Sequence, residues 1–203
     1  MRCRKLDVKS RDMTIREGRD TNVVFAFLES LPNLHSLQYS ADFFRPVEFS
    51  LLIDSLKHAP LRNFSFDTGL LGPVEGPPAA GLSGLENLAI TWNLNDSSNA
   101  LGSSCAHLYE FIRPSLTTLV DLKIEYTPDE RHPDFDLRLL KSAGHTLRVF
   151  EYTLQSKDES ILHTIPEIFP HLTKLTIVWE NYFTEHSILW KVIYPSCIQI
   201  FGC

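Results

Sequence analysis

Long apolar runs are missing from this chain. The longest, Val23 to Leu28, is six residues, and crossing a bilayer takes roughly 20. The start, Met-Arg-Cys-Arg-Lys-Leu-Asp, carries Lys9, Arg11 and Asp12 where a secretory signal would have its apolar stretch. These absences predict an intracellular protein, cytoplasmic or nuclear, with no membrane partner. Cysteine is scarce as well: Cys3, Cys105, Cys197 and Cys203 show no C-x-x-C spacing and are too few for a disulfide scaffold. Three of them fall at core-type positions, so reduced and buried thiols are expected.

The motifs of catalysis are also lacking. There is no G-x-S-x-G elbow, Walker loop, H-E-x-x-H or dinucleotide glycine fingerprint, and Gly81-Leu82-Ser83-Gly84 has the wrong spacing for one. His58, His107, His145, His163, His171 and His186 lie in or beside different helical stretches, with no i, i+4 pair to form a metal face. His132 stands in an acidic loop. The expectation is no catalytic residue, no metal and no cofactor. Net charge is −6. Seven basic against three acidic residues give positions 1–19 a balance of +4, which leaves −10 on the rest. A nucleic-acid binder carries its basic face over the body of the fold, so no nucleic acid is expected here.

What the sequence does have is a core's worth of apolar residues, 43% of the chain against 22% charged, and a period. The pattern apolar-x-x-apolar-x-apolar falls at Leu34-Leu37-Tyr39, Leu61-Phe64-Phe66, Leu85-Leu88-Ile90, Leu119-Leu122-Ile124, Leu147-Phe150-Tyr152 and Leu172-Leu175-Ile177. Successive copies start 27, 24, 34, 28 and 25 residues apart. Weaker copies fit at Cys3-Leu6-Val8 and at Cys197 with Ile200. A recurrence of this length is the signature of a repeat architecture. Punctuation strengthens it: Pro32, Pro60, Pro170 and Pro195, with Gly84, stand one or two residues ahead of the pattern. There they end a helix and release the chain into an extended segment.

Helical spacing fills the intervals. Thr21 or Asn22 is placed to cap a helix burying Val24, Phe27, Leu28 and Leu31, and Pro46 suits a first helical position before Phe49, Leu52, Ile53 and Leu56. Further helices are expected over Leu101, Cys105, Leu108 and Ile112; over Leu137 and Leu140, capped by Asp134 and closed by Gly144; over Ile161 to Ile168; and over Ile188, Leu189 and Val192. The glycine- and proline-rich stretch Gly69 to Gly84 predicts a crossing without a helix. Strand and helix alone cannot bury their apolar sides, since a helix of about 10 residues is marginal in water. Neighbouring units must supply the cover, which predicts an α/β solenoid of about seven or eight irregular units. An ordinary α/β sheet with helices on both faces is the rival.

The pattern resembles the leucine-rich repeat, L-x-x-L-x-L-x-x-N, over nearly the whole chain. The asparagine of that motif is matched at Asn93 alone, while Asp42, Gly69, Thr127, Gln155 and Glu180 stand at the equivalent places. The unit lengths resemble the ribonuclease-inhibitor-like class, and the uneven spacing is similar to the repeats of fungal F-box proteins. The resemblance implies a curved parallel sheet on the inner face with helices outside. It makes residues 1–203 a single leucine-rich-repeat domain, with both ends expected to be truncated and uncapped.

Side chains alternate along a strand, so the residues between the apolar positions face the inner curve. The candidate partner-binding set is Gln38, Asn63, Ser65, Asp67, Asn87, Thr91, Lys123, Glu125 and Glu151. Its centre is neutral and polar with mixed charge beside it, which suits a protein or peptide. Trp92, Tyr126 and Trp179 fall at an inward place and are expected to edge the core. The loop from Thr127 to Asp136, with Asp129, Glu130, Asp134 and Asp136, reads as an exposed acidic loop or as a docking loop for a basic partner.

The expected function is a non-catalytic protein interaction scaffold. The resemblance implies the substrate-recognition repeats of an F-box protein of a ubiquitin ligase, with a ligase adaptor as partner only if an F-box is encoded upstream. A scaffold outside ubiquitination, such as a GTPase regulator, or a partnerless fragment is the alternative, with an α/β enzyme ranked below both. Replacing Leu88 or Leu122 by Ala should cost about 2 to 5 kcal/mol of stability, and Gln38→Ala under about 0.5. Equal losses in denaturant melts would mean the two faces are assigned backwards.

Overall fold

A computed structural model describes residues 3–10, 19–41, 46–71, 81–94, 103–127, 135–154, 160–179 and 188–193. In chain order these form β1 (Lys5–Ser10), α1 (Arg19–Glu29), β2 (Ser36–Ala41), α2 (Pro46–Leu56), β3 (Asn63–Leu71), β4 (Asn87–Leu94), α3 (Ser103–Ile112), β5 (Asp121–Thr127), β6 (Val149–Leu154), α4 (Ser160–Ile168), β7 (Lys174–Trp179) and β8 (Ile188–Ile193). Two 3-10 turns, Arg113–Ser115 and Leu137–Ala143, complete the set. The strands make one open sheet in sequential order, parallel from β1 to β7.

The register stacks the apolar pattern into columns: Leu37, Phe64, Leu88, Leu122, Phe150 and Leu175 are successive partners, as are Tyr39, Phe66, Ile90 and Ile124. All three positions of the pattern are buried in every one of its six full copies, and Cys3, Leu6 and Val8 pack partly buried against the same core. Leu28, Leu52, Leu108 and Ile165 of the helices close that core from one side. The opposite side of the sheet carries mostly polar residues, which apart from Thr153 are half-buried or exposed where described, so among the described residues the two-faced rival does not describe this sheet.

A repeated corner fixes the register before each strand begins. The amides of Arg62 and Asn63 both donate to His35 O, those of Glu86 and Asn87 to Arg62 O, and those of Val120 and Asp121 to Glu86 O. Arg148 and Val149 donate in turn to Val120 O, then Thr173 and Lys174 to Arg148 O, all at 2.8 to 3.1 Å. Each carbonyl has two lone pairs and uses both. Hydroxyls brace the same corner: fully buried Ser115 donates from Oγ to Leu82 O and accepts from Leu85 N at 3.1 Å, while Thr118 Oγ1 donates to Leu85 O at 2.8 Å.

Several local expectations are corrected. α1 begins at Arg19, ahead of the expected caps, and it buries Phe25 and Leu28 while Phe27 is 41% exposed. Neighbouring residues lie about 100° apart on a helix, and the core takes the face centred on Leu28. The Leu137 segment is a 3-10 turn, with Asp136 accepting from Arg138 N at 3.0 Å as its cap; Asp134 lies outside the described residues. Gly144 does close it, its N–H donating to Lys141 O at 3.0 Å, and a Cβ there would sit 2.3 Å from Ile168 O. Pro46 opens α2 as expected, and the described parts of the Gly69 to Gly84 crossing, residues 69–71 at the end of β3 and residues 81–84, hold no helix.

Ile188 to Ile193 is a strand where a helix was expected, antiparallel to β7. Ile188, Val192 and Ile193 are β-branched and Trp190 aromatic, a strand composition. Eight residues separate it from Trp179, and a parallel return needs a dozen or more. The continuing unit expected at Cys197 and Ile200 lies outside the described residues. Ser115→Ala would leave the buried Leu85 amide without its acceptor and should cost about 1 to 3 kcal/mol. Urea unfolding checks this, with a loss under about 0.5 kcal/mol contradicting the bracing role.

Candidate functional site

The sheet face opposite the described helices is built from three rows set by strand alternation. The first residues of the strands give Lys5, Ser36, Asn63, Asn87, Asp121, Val149 and Lys174; the second row is Asp7, Gln38, Ser65, Ala89, Lys123, Glu151 and Thr176. Asp67, Thr91 and Glu125 belong to the third row, toward the strand ends. Seven strands about 4.8 Å apart span roughly 29 Å. A shallow depression of about 350 Å3, open to solvent, is lined by residues of all seven.

Of the residues expected to bind a partner, Gln38, Asn63, Ser65, Asn87, Lys123 and Glu151 line the depression. Asp67, Thr91 and Glu125 are on the same face beyond its lining; Asp67 is exposed, the other two half-buried. The depression also takes in Lys5, Ser36, Asp121, Val149 and Lys174, which sequence reasoning placed on the face without singling them out. Alternation gives the face of a residue, and nothing in it gives the position of the hollow along the strands. Thr153, expected outward, is buried at 5%; it stands past Tyr152, where the pairing of β5 with β6 ends. The side chains of Trp92, Tyr126 and Trp179 and the loop residues 128–134 lie outside the described residues.

Two hydrogen bonds organise the floor. Asn87 Nδ2 donates to Asn63 Oδ1 across adjacent strands. Lys123 Nζ meets Glu151 Oε1 at 2.8 Å. That bond holds the Lys123 ammonium above its usual range against the cost of burial, and the charges of Glu151, Glu125 and Asp67 act in the same direction. Burial pushes the Asp121 carboxyl up, opposed by Lys174 and reinforced by Glu151. The first two rows from β2 to β4 are uncharged: Ser36, Gln38, Asn63, Ser65, Asn87 and Ala89. Such a surface offers short-range donors and acceptors with little net field.

A second groove, about 470 Å3, lies at the strand starts and is lined by Glu86, Thr117, Val120, His145, Arg148 and their neighbours. The fold brings His145 beside His171 with ring centres 6.0 Å apart and planes tilted by 42°, a pairing that sequence spacing did not reveal because the two belong to consecutive units. Among the described residues, no group of three or more His, Cys, Asp or Glu side chains is placed to hold a metal, and no helix is long and apolar enough to cross a membrane. Cys3 is half-buried, its Sγ against Lys5 O at 3.2 Å. No family model, curated protein or solved structure matches this chain.

A carboxyl whose folded pKa is raised favours the protonated form, so its contribution is fully present below the unfolded value of 3.8 and is lost as pH rises through the folded value. Asp121→Asn should therefore stabilise the protein at pH 7, by less than about 1 kcal/mol for this half-exposed group. The gain should vanish below pH 3.8. Denaturant melts across this range check the sign, and a variant destabilised at pH 7 would contradict it.

Proposed function

We propose that this chain is a non-catalytic protein interaction scaffold of the leucine-rich-repeat type, whose polar sheet face holds a protein partner. One observation carries the reading: a hydrogen-bonding face seven strands wide is left uncovered by the described residues, while the apolar face behind it is buried in one continuous core. A sheet buried on one side and polar on the other is a stable way to present side chains on rigid backbone. The in-register apolar columns, the coils of 24 to 34 residues and the helices on a single side support the repeat assignment.

Within that reading, the role closest to the repeat pattern is substrate recognition of the kind served by F-box proteins of ubiquitin ligases. A ligase adaptor belongs to it only where an F-box is encoded ahead of Met1. The floor's compensated charge favours a protein over a nucleic acid, whose phosphates demand an extended basic surface. The same face would serve a scaffold in another pathway.

The experiment is affinity capture from cell extract with the wild-type chain beside Ser65→Arg/Asn87→Arg, which fills the depression with two guanidinium groups. Partners held by this face should fall at least tenfold in the double variant while its thermal melt stays close to wild type. Capture of the same proteins by both would contradict the assignment of the face.

A further inference from the structure

The scaffold reading leaves the chemistry of the partner open, and the floor restricts it. Ser36, Gln38, Asn63, Ser65, Asn87 and Ala89 cover the first two rows of three consecutive strands without a charge or a large apolar side chain. Leu37, Phe64 and Leu88 also line the depression but are core residues no more than 2% exposed, so no large apolar side chain stands out from this floor to anchor a partner. Charge gives little more: Lys123 is committed to Glu151 at 2.8 Å, and Asp121 lies within the field of Lys174. What the floor presents is amide and hydroxyl chemistry. The Asn87 to Asn63 hydrogen bond orients two carboxamides side by side, leaving N–H hydrogens of both and the Asn87 oxygen for a bound group.

Resting on the scaffold reading, we propose that the depression over β2 to β4 takes an extended, uncharged peptide segment lying across the strands. Peptide amides and Ser, Thr, Asn or Gln side chains of the partner meet the carboxamides and hydroxyls of the floor. Complementarity here is of neutral with neutral: a charged side chain centred on the first two rows of β3 would be desolvated against carboxamides and hydroxyls, with the charges of Lys5 and Asp121 on the flanking strands β1 and β5 and that of Asp67 in the third row. The three strands are about 10 Å across, the span of three extended residues at about 3.3 Å each. Recognition is short in sequence, carried by hydrogen bonds, and insensitive to salt, because screening acts on separated charges.

Selection of a random twelve-residue peptide library on the intact chain tests this, with binding of the selected peptides measured at about 50 and 500 mM salt. The expected result is enrichment of uncharged, Ser-, Thr-, Asn- and Gln-containing segments whose affinity changes less than threefold with salt. Asn87→Asp, which keeps the size but replaces the donor by a charge, should weaken them at least fivefold at a temperature where the variant is fully folded, its melt lowered slightly by the loss of the bond to Asn63 and by the Asp121 carboxylate opposite. Selected peptides that are basic and salt-sensitive, yet lost in Ser65→Arg, would overturn this inference and move recognition to the Asp67 and Glu125 rim while leaving the scaffold reading intact. Acidic or apolar peptides lost in Ser65→Arg would overturn it in the same way. Enrichment no greater than on Ser65→Arg would overturn both.

Discussion

One carbonyl oxygen accepting two consecutive amide hydrogens from the next coil is the contact on which this fold depends. It recurs from Arg4 through His35, Arg62, Glu86, Val120 and Arg148, each acceptor standing immediately before a strand. Because both lone pairs of each carbonyl are used, the next strand has one permitted register. A slip of one residue would turn every buried Leu, Phe and Ile of that strand toward solvent. The corner thus converts a loosely spaced sequence pattern into continuous apolar columns. It also absorbs unequal coil lengths, since everything between one corner and the next can vary while the corner geometry repeats.

The functional face follows from the same constraint. Parallel strands wound in sequence with their helical cover on one side leave the other side with no element of this chain to bury it among the described residues. The residues there are polar because a second apolar face would have no partner within the coil. Their chemistry is then free to differ from strand to strand, as Asn63, Asn87, Asp121 and Val149 do in the first row. Rigid backbone beneath variable side chains is what a recognition surface requires, and the Asn87 to Asn63 and Lys123 to Glu151 bonds further limit the motion of the side chains themselves.

The architecture was readable because the information is periodic. Leu88 and Leu122 declare their burial by recurrence, and Pro46 declares a helix start by its fixed φ. What escaped sequence reading has no period. Phe25 replaces Phe27 in the core because the helix face is chosen by the neighbouring coil, a long-range decision. Phe111, Phe135 and Phe169 are buried outside the repeating pattern, Phe111 against Phe64 and Phe169 against Phe150 of the sheet. The antiparallel course of β8 was concealed by an apolar spacing that fits helix and strand alike. In the site, alternation gave the face of Gln38 and Glu151, but the hollow's shift toward the strand starts, and so the inclusion of Lys5, Asp121 and Lys174, depends on how the sheet bends.

Amide hydrogen exchange at the strand starts tests this account most directly. Glu86, Asn87, Val120, Asp121, Arg148 and Val149 should exchange as slowly as the interior amides of β4 to β6, since each donates to the preceding coil. Fast exchange at these six, beside protected strand interiors, would mean that the coils are not registered at their corners and that the ordered face does not exist as described.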